Sequence, residues 1–195
     1  MINRYPMKKY FMVGVCGLDC GLCPRYHTDG KVKCHGCCGL DFYDRHHTCS
    51  MVNCCVRQRG METCALCSDL EECQKIYQVK EAAQDRDTFI SYKPISANIE
   101  FIRKNGLSDF ATQQYEKQKL LLHLLEKYDD GRSKLFYCTA CQLLPQTDLA
   151  FALNGVDNKI SIDTDIKERS KMMRSTINKL AEQLDVDLKL RNKIV

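Results

Sequence analysis

The run Cys16-Gly17-Leu18-Asp19-Cys20-Gly21-Leu22-Cys23 opens a series of cysteines that continues to Cys73. Twelve of the 14 cysteines of this 195-residue chain lie in that stretch. The stretch is poor in apolar side chains: 13 of residues 16–75 are Val, Ile, Leu, Met, Phe or Tyr, against 41 of residues 76–195. Hydrophobic burial alone is therefore too weak to order the first segment, and thiolates bound to metal are a second source of folding energy.

The spacing of these cysteines is typical of metal ligands. Three C-x2-C pairs occur within about 50 residues, at Cys20/Cys23, Cys34/Cys37 and Cys64/Cys67. Such a pair lets two sulfurs on one tight turn face the same ion at about 2.3 Å. The series predicts a metal-binding segment but does not identify the metal.

Disulfide bonds are the alternative use for so many cysteines, and they need an oxidising compartment. The apolar run Tyr10–Val15 follows Lys8 and Lys9 but is too short for a signal peptide. No apolar run reaches the length of a membrane span. We therefore expect a cytoplasmic protein with reduced thiols, and metal thiolates rather than disulfides.

Ten cysteines form the predicted ligand set. Neighbouring cysteines cannot easily serve one ion, so Cys38 and Cys55 are predicted to be surplus beside Cys37 and Cys54. Because four-thiolate zinc sites use ligands in fours, ten thiols allow two full sites and leave two over. The predicted ligands are Cys16, Cys20, Cys23, Cys34, Cys37, Cys49, Cys54, Cys64, Cys67 and Cys73.

Three variations on this scheme stay open. A third ion with shared or histidine ligands is one, with His35, His46 and His47 in the same loops, although exposed loop histidines are the commoner case. An iron–sulfur cluster is another, because it uses the same thiolates as zinc. The opening C-x3-C-x2-C also matches the cluster motif of radical enzymes that use S-adenosylmethionine, but the chain lacks the strand–helix repeat of their barrel.

The cysteine pattern resembles a Cys-rich bacterial and archaeal family of unknown function, that of domain of unknown function 3795. The resemblance rests on Cys16 to Pro24, on Cys34-His35-Gly36-Cys37 and on the later cysteines, and it extends to residues 128–138. It implies the same ten thiols and leaves Cys38, Cys55 and Cys141 outside the pattern. The family's usual Pro-Cys is Glu72-Cys73 here. The resemblance implies no activity.

The rest of the chain predicts helices. A capping box at Ser68–Glu71 predicts a helix to about residue 85, and Pro94 and Gly106 bracket the next. Further helices are predicted over 108–128, from Ser133 to before Pro145, over 147–155 and over 165–184. Alternating apolar residues over 186–190 predict one short strand, with 11–15 as its partner. The predicted fold is mainly α, with a Cys-rich lobe (1–75) packed on a helical lobe (76–195), in one compact body with at most a small two-stranded β element.

Two later motifs each have an ordinary and a functional interpretation. Cys138 and Cys141 are predicted to be buried in a helix rather than to form a redox pair, since no strand precedes them. The turn before Lys134 is predicted to be a helix–helix connection, and an anion or partner site is its alternative.

The charge balance argues against a nucleic-acid binder. Residues 1–80 carry 11 basic and eight acidic side chains. Two four-thiolate zinc sites would add eight negative and four positive charges, so the excess of three positive charges would become about one negative charge. The sequence therefore predicts a zinc protein with two or more ions that acts as an interaction module, with a protein partner favoured over nucleic acid and no membrane contact. Its alternative is an iron–sulfur redox protein or a metal-dependent enzyme.

Overall fold

The computed structural model describes residues 8–40, 42–45, 49–161 and 163–191, and within them the chain is mainly α-helical. The α-helices are α1 (Phe42–Arg45), α2 (Ser50–Val52), α3 (Gln74–Asp85), α4 (Ile95–Asn105), α5 (Leu107–Tyr128), α6 (Lys134–Leu143), α7 (Gln146–Asp157) and α8 (Ile166–Gln183). Helix α2 runs directly into a π-helical turn over Asn53–Gln58. Short 3₁₀ turns lie at Cys20–Leu22, Gly30–Val32 and Cys64–Leu66.

Most helices begin and end within a few residues of their predicted positions, although α5 begins at Leu107 and α7 at Gln146, each one residue before its predicted start. Asp165 caps α8, because its carboxylate accepts a hydrogen bond from the Lys167 backbone N–H at 3.0 Å. The predicted start at Ser68 is wrong, since α3 begins at Gln74 after an extended Cys73. The Ser68 hydroxyl donates instead to the Asp69 carboxylate at 2.8 Å, so it is not available as a cap.

The described residues form no β-strand, so the predicted pairing of 11–15 with 186–190 is absent from them. Backbone carbonyls of residues 11–15 accept hydrogen bonds from three other parts of the cysteine segment. At the other end, the Val186 N–H donates back to the Ala181 carbonyl at 2.8 Å. Hydrogen bonds to other partners therefore use backbone groups that a two-stranded ladder would need.

Two buried apolar clusters form the core. The first joins Val13, Val15 and Val52 of the Cys-rich segment to Ile95, Ile99 and Ile102 of α4, so the apolar-poor segment uses apolar side chains from a helix beyond it. The second cluster lies among α5–α8 and takes in Leu22 from the Cys-rich segment. Each cluster thus contains residues from both predicted lobes, and the boundary at residue 75 stays a prediction.

Asp87 and Arg191 join the loop after α3 to the C-terminal part of the described chain. The Asp87 carboxylate is fully buried and accepts bonds from the Arg191 backbone N–H at 2.8 Å, the Arg191 guanidinium at 2.9 Å and the Tyr92 N–H at 2.7 Å. Burial by itself would raise the pKa of Asp87, but the bonds from Arg191 and Tyr92 outweigh it and lower the pKa to about 2.

Asp87→Asn is expected to lower the free energy of unfolding by about 2 kcal/mol at neutral pH, because it removes the charge that Arg191 needs. Because the pKa of Asp87 is lower in the folded protein than the unfolded value of about 3.9, its carboxylate stabilises the fold above that pH. The stabilisation is lost as the pH falls through about 2. The difference between the two proteins should therefore shrink from pH 4 to pH 2 in urea unfolding. Exposed Asp163→Asn is the control, and a difference independent of pH would contradict this account.

Candidate metal centre

One short backbone segment holds the cysteine turns together. The Phe11 carbonyl accepts from the Cys37 N–H at 2.7 Å, the Met12 carbonyl from the Gly21 N–H at 2.8 Å, and the Val15 carbonyl from the Cys64 N–H at 2.9 Å. Residues 11–15 therefore act as a common anchor for turns that lie up to about 50 positions apart in the sequence. The turns that carry Cys20, Cys37 and Cys64 are therefore bonded to the same short segment.

Four predicted ligands form an inner thiol cluster, which we define as Cys16, Cys20, Cys37 and Cys49. Burial, together with the charges of Cys37, Cys49 and Cys64, raises the pKa of Cys16 to about 12. Burial also raises the pKa of Cys20, with contributions from Cys37 and Cys16. These thiols therefore lie near enough to act on one another electrostatically.

Lys8 places a positive charge beside the inner thiol cluster. The side chain is only 4% exposed, and its ammonium donates to the Val13 carbonyl. Among the described residues it makes no ion pair with a carboxylate. Burial raises the pKa of Cys20, and the Lys8 charge opposes that shift. A buried ammonium is stabilised by an anion nearby, so Lys8 favours loss of a proton from the thiols of this cluster.

Backbone N–H groups point at the sulfurs of several predicted ligands. In three cases the donor lies two or three residues further along the chain, and in the fourth it is Val15, whose N–H lies 3.5 Å from the Cys37 sulfur. Hydrogen bonds of this kind stabilise the charged thiolate over the thiol. The four acceptors are Cys16, Cys23, Cys37 and Cys49.

Four other predicted ligands line a cavity of about 330 Å³, here called the thiol cavity. The π-helical turn supplies Cys54, the 3₁₀ turn supplies Cys64 and Cys67, and Cys73 stands at the start of α3. Two thioethers, Met51 and Met61, and the thiol of Cys55 share the lining. This sulfur-rich surface suits a soft metal rather than a hard cation.

An arginine stands at the mouth of the thiol cavity. The Arg59 guanidinium donates to the Cys67 sulfur at 3.1 Å and pairs with the Asp69 carboxylate at 2.7 Å. The bond to Asp69, followed by the charges of Asp69, Cys67 and Cys54, raises the pKa of Arg59. Arg59 therefore links two thiols of the cavity to an acidic loop at the surface.

The two remaining predicted ligands, Cys23 and Cys34, belong to neither set of four, although the charge of Cys23 acts on Cys20. Burial raises the pKa of Cys23, and the charge of Cys34 adds to the shift. The Cys34 N–H donates to the Arg25 carbonyl at 2.9 Å, which fixes the loop between the two cysteines. The thiol groups therefore adjoin one another: the charge of Cys64 acts on Cys16 and Cys49 of the inner thiol cluster.

The cysteines predicted to be surplus touch the predicted ligands. Cys38 is fully buried, and a hydrogen bond from Cys37 lowers the pKa of Cys38 while the Tyr43 hydroxyl donates to its sulfur at 3.7 Å. A hydrogen bond with Cys55 raises the pKa of Cys64. In the sequence, these contacts are signalled only by the positions of Cys38 and Cys55 directly after Cys37 and Cys54. The same adjacency is the reason that both were predicted to be surplus.

The thiols of each group do not converge closely in this structure. Within the described residues, no three side chains of His, Cys, Asp or Glu lie in an arrangement that would hold a metal ion. The chemistry of the donor set fits a thiophilic metal, and coordination would require the side chains to reorient. Of the candidate histidines, His35 lies in the Cys34–Cys37 turn, whereas His46 and His47 fall outside the described residues.

Cys138 and Cys141 are part of the second core, as predicted. They are 2% and 1% exposed, and burial raises the pKa of Cys141 to about 12 and that of Cys138 as well. A redox-active pair needs an accessible thiolate, so these properties favour the structural role.

The turn before α6 is a connection closed by its own residues. The Asp129 carboxylate accepts from the Ser133 N–H at 3.0 Å, and the Asp130 carboxylate accepts from the Arg132 N–H at 3.2 Å. The Lys134 ammonium donates to the His27 carbonyl at 3.1 Å, which ties the turn to the Cys-rich lobe. The contact with His27 therefore uses the Lys134 ammonium, one of the groups that the alternative anion site would need.

Asp19 is a site-supporting residue that sequence reasoning missed. It lies between Cys16 and Cys20, is 1% exposed, and accepts from the Asn98 amide at 2.9 Å and from the Gln142 amide at 3.1 Å. Burial raises the pKa of its carboxyl group. Asp19 thereby fixes the first cysteine turn to α4 and α6.

Comparison of the chain with protein-family models, with curated proteins and with solved structures found no match. No helix in the described ranges is both long enough and apolar enough to cross a membrane.

Proposed function

We propose that the Cys-rich lobe binds two zinc ions through eight of its ten predicted ligands, and that the zinc-stabilised protein acts as an interaction module. The observation that supports the proposal is the gathering of eight thiols into two adjoining sets of four, the inner thiol cluster and the thiol cavity. Four is the number of thiolates that a structural zinc ion takes. Cys23 and Cys34 are then the two thiols left over, or ligands of a further ion.

The surroundings of the thiols support the proposal. The N–H donors at Cys16, Cys37 and Cys49 favour thiolates, and the Lys8 ammonium compensates part of their charge. Zinc would supply the positive charge that lets buried thiols lose their protons. Arg59 would neutralise charge on Cys67, and Asp19 would hold the turn that carries Cys16 and Cys20.

Metal analysis of the purified chain tests the proposal. Protein prepared without added metal is expected to contain two or more zinc ions per chain and to be colourless. Cys16→Ser and Cys67→Ser should each lower the zinc content by about one ion, because each removes a ligand from a different group of four. Cys141→Ala is the matched control, since that thiol lies in the second core, and it should leave the content unchanged. Near-zero zinc with all thiols free would overturn the proposal.

An iron–sulfur cluster is the second candidate, and the size of the thiol cavity favours it. A volume of about 330 Å³ with five thiols in its lining is more than a single ion requires. A cluster in an accessible cavity would make the protein a redox protein or a metal-dependent enzyme. Purification without oxygen separates the two candidates: a coloured protein containing iron supports the cluster, and a colourless protein containing zinc contradicts it.

The partner, the compartment and the family belong to the same proposal. We infer a protein partner in preference to nucleic acid, because bound thiolates would cancel the positive charge of residues 1–80. Reduced thiols imply the cytoplasm. The cysteine spacing supports placing the chain near the family of domain of unknown function 3795.

A further inference from the structure

Helices α7 and α8 border a groove of about 860 Å³ at the surface. Leu149 and Leu153 of α7 belong to the second core, whereas Phe151 lines the groove and is 82% exposed. Phe151 is the most exposed large apolar side chain among the described residues. Val156 and Met172 line the groove next to that core. Scattered exposed apolar side chains are common, but one that borders a concave surface is typical of an interaction site.

Gly155 of α7 also lines the groove. Glycine within a helix lowers the stability of the protein relative to alanine. Among the residues that the structure describes, neither packing nor backbone conformation requires a glycine here, because a Cβ atom at this position meets nothing within 4 Å and φ is not positive. The missing side chain instead leaves room for a partner to approach the α7 backbone closely.

Three exposed lysines line the groove, Lys159, Lys167 and Lys171. Within the described parts of the chain, none of them forms an ion pair with a carboxylate. Two acids, Asp165 and Glu168, line the same groove. The Asp165 carboxylate already accepts from the Lys167 backbone N–H at 3.0 Å as the cap of α8. The groove therefore carries an excess of positive charge that a partner can neutralise.

The basic surface continues along α8. A neighbouring depression of about 460 Å³ shares Lys167 and Lys171 with the groove. It adds two cations and two acids, which are Arg174, Lys179, Asp130 and Glu182. The two concave surfaces together carry five cations against four acids, and Asp130 and Asp165 among the acids accept backbone hydrogen bonds. The exposed face of α8 is therefore better suited to the carboxylates of a partner than to its cations.

We infer that the groove between α7 and α8 binds an acidic amphipathic segment of a partner protein. An apolar side chain of that segment packs over Gly155 against Phe151, and its carboxylates pair with Lys167 and Lys171. This inference rests on the proposed interaction role and names its surface and the class of partner. A single-stranded nucleic acid fits less well, because such ligands stack successive bases on several aromatic rings and Phe151 is the one aromatic residue that lines the groove.

Fluorescence anisotropy with the full-length protein tests the inference. The probe is a labelled synthetic peptide with leucines at helical spacing and glutamates at the other positions. We expect saturable binding that weakens as salt is added, because salt screens pairs between lysines and carboxylates at a surface. Peptides with serine in place of leucine, or with lysine in place of glutamate, should each bind at least tenfold more weakly.

Phe151→Ala should weaken binding of the probe at least tenfold, because it removes the exposed apolar contact. Leu122→Ala is the matched control, since Leu122 is a 54% exposed apolar residue of α5 that lines neither the groove nor the depression. It should leave the affinity unchanged. Lys167→Glu combined with Lys171→Glu should also weaken binding at least tenfold at low salt, and by less at high salt.

Gly155→Leu separates binding from folding. It should raise the melting temperature by about 2 °C, because leucine favours a helix over glycine, and yet weaken binding at least tenfold by filling the groove. Asn154→Leu is the matched control, because Asn154 is the exposed neighbour in α7 and does not line the groove. It should leave the affinity for the probe unchanged.

Absence of probe binding, or equal losses of affinity in Phe151→Ala and Leu122→Ala, would overturn the inference. Binding of a labelled oligothymidine in place of the peptide would also overturn it, as would a dimer of the chain that Phe151→Ala dissociates. Zinc content is measured on the same preparation. Metal-free protein with free thiols would overturn the proposed function, whereas zinc-loaded protein that does not bind the probe would overturn this inference alone.

Discussion

If the cysteine segment binds zinc as proposed, removal of the metal is expected to unfold that segment while α5–α8 stay helical. The lobe has few apolar side chains of its own, and structural zinc contributes roughly 10 kcal/mol or more to the folding of small domains. The second core lies among α5–α8 and includes only Leu22 from the cysteine segment. Loss of the metal therefore removes the main source of order from the first core and little from the second.

Hydrogen exchange with mass spectrometry measures this effect segment by segment. After treatment with a strong chelator, residues 8–73 should lose nearly all amide protection, α4 should lose part of it, and α5–α8 should keep most of it. Returning one equivalent of zinc per site should restore protection, which separates metal loss from oxidation of the thiols. Full protection of residues 8–73 in protein verified to be free of metal would contradict the expectation.

Gly36→Ala is expected to destabilise the protein by about 4 kcal/mol or more and to abolish metal binding in the inner thiol cluster. Gly36 has a φ of +83°, in the left-handed region that L side chains rarely adopt. A Cβ atom built at this position overlaps the Phe11 carbonyl oxygen. That oxygen accepts the bond from the Cys37 N–H, so the new methyl group pushes the Cys34–Cys37 turn away from its anchor.

Gly30→Ala provides a matched control for the clash. Gly30 has a φ of +79°, close to that of Gly36, but a Cβ atom there meets nothing within 4 Å. Gly30→Ala should therefore lower the free energy of unfolding only by the backbone strain, about 1 kcal/mol. Thermal unfolding and zinc content measured on both variants separate the two effects. Equal losses of stability would show that backbone strain, and not contact with Phe11, decides the outcome.

The helices were largely predictable because their signals are local. The Asp165 cap and the Pro94 and Gly106 brackets each act within a few residues, and α8 and α4 begin and end close to where these signals place them. The start of α3 was not predictable, because the hydroxyl of Ser68 bonds to Asp69, and Asp69 pairs with an arginine ten positions earlier.

The sequence predicts which thiols belong to the site but not how they are arranged in space. Spacing identifies pairs such as Cys34 and Cys37, yet the structure assigns these two to different groups. The grouping depends on contacts between distant segments, such as that of Cys64 with Val15. The burial of Cys38 and Cys55 and the supporting role of Asp19 depend on the same long-range packing, which no local pattern records.

The shared first core also has a consequence for synthesis of the chain. The chain emerges from the ribosome N-terminus first, so the cysteine segment emerges before Ile95, Ile99 and Ile102, the side chains that complete the packing around the cysteine turns. Twelve thiols therefore leave the ribosome ahead of the helix that covers part of them. A cell that makes this protein must keep the nascent thiols reduced and unpaired until α4 has been synthesised and has folded onto them.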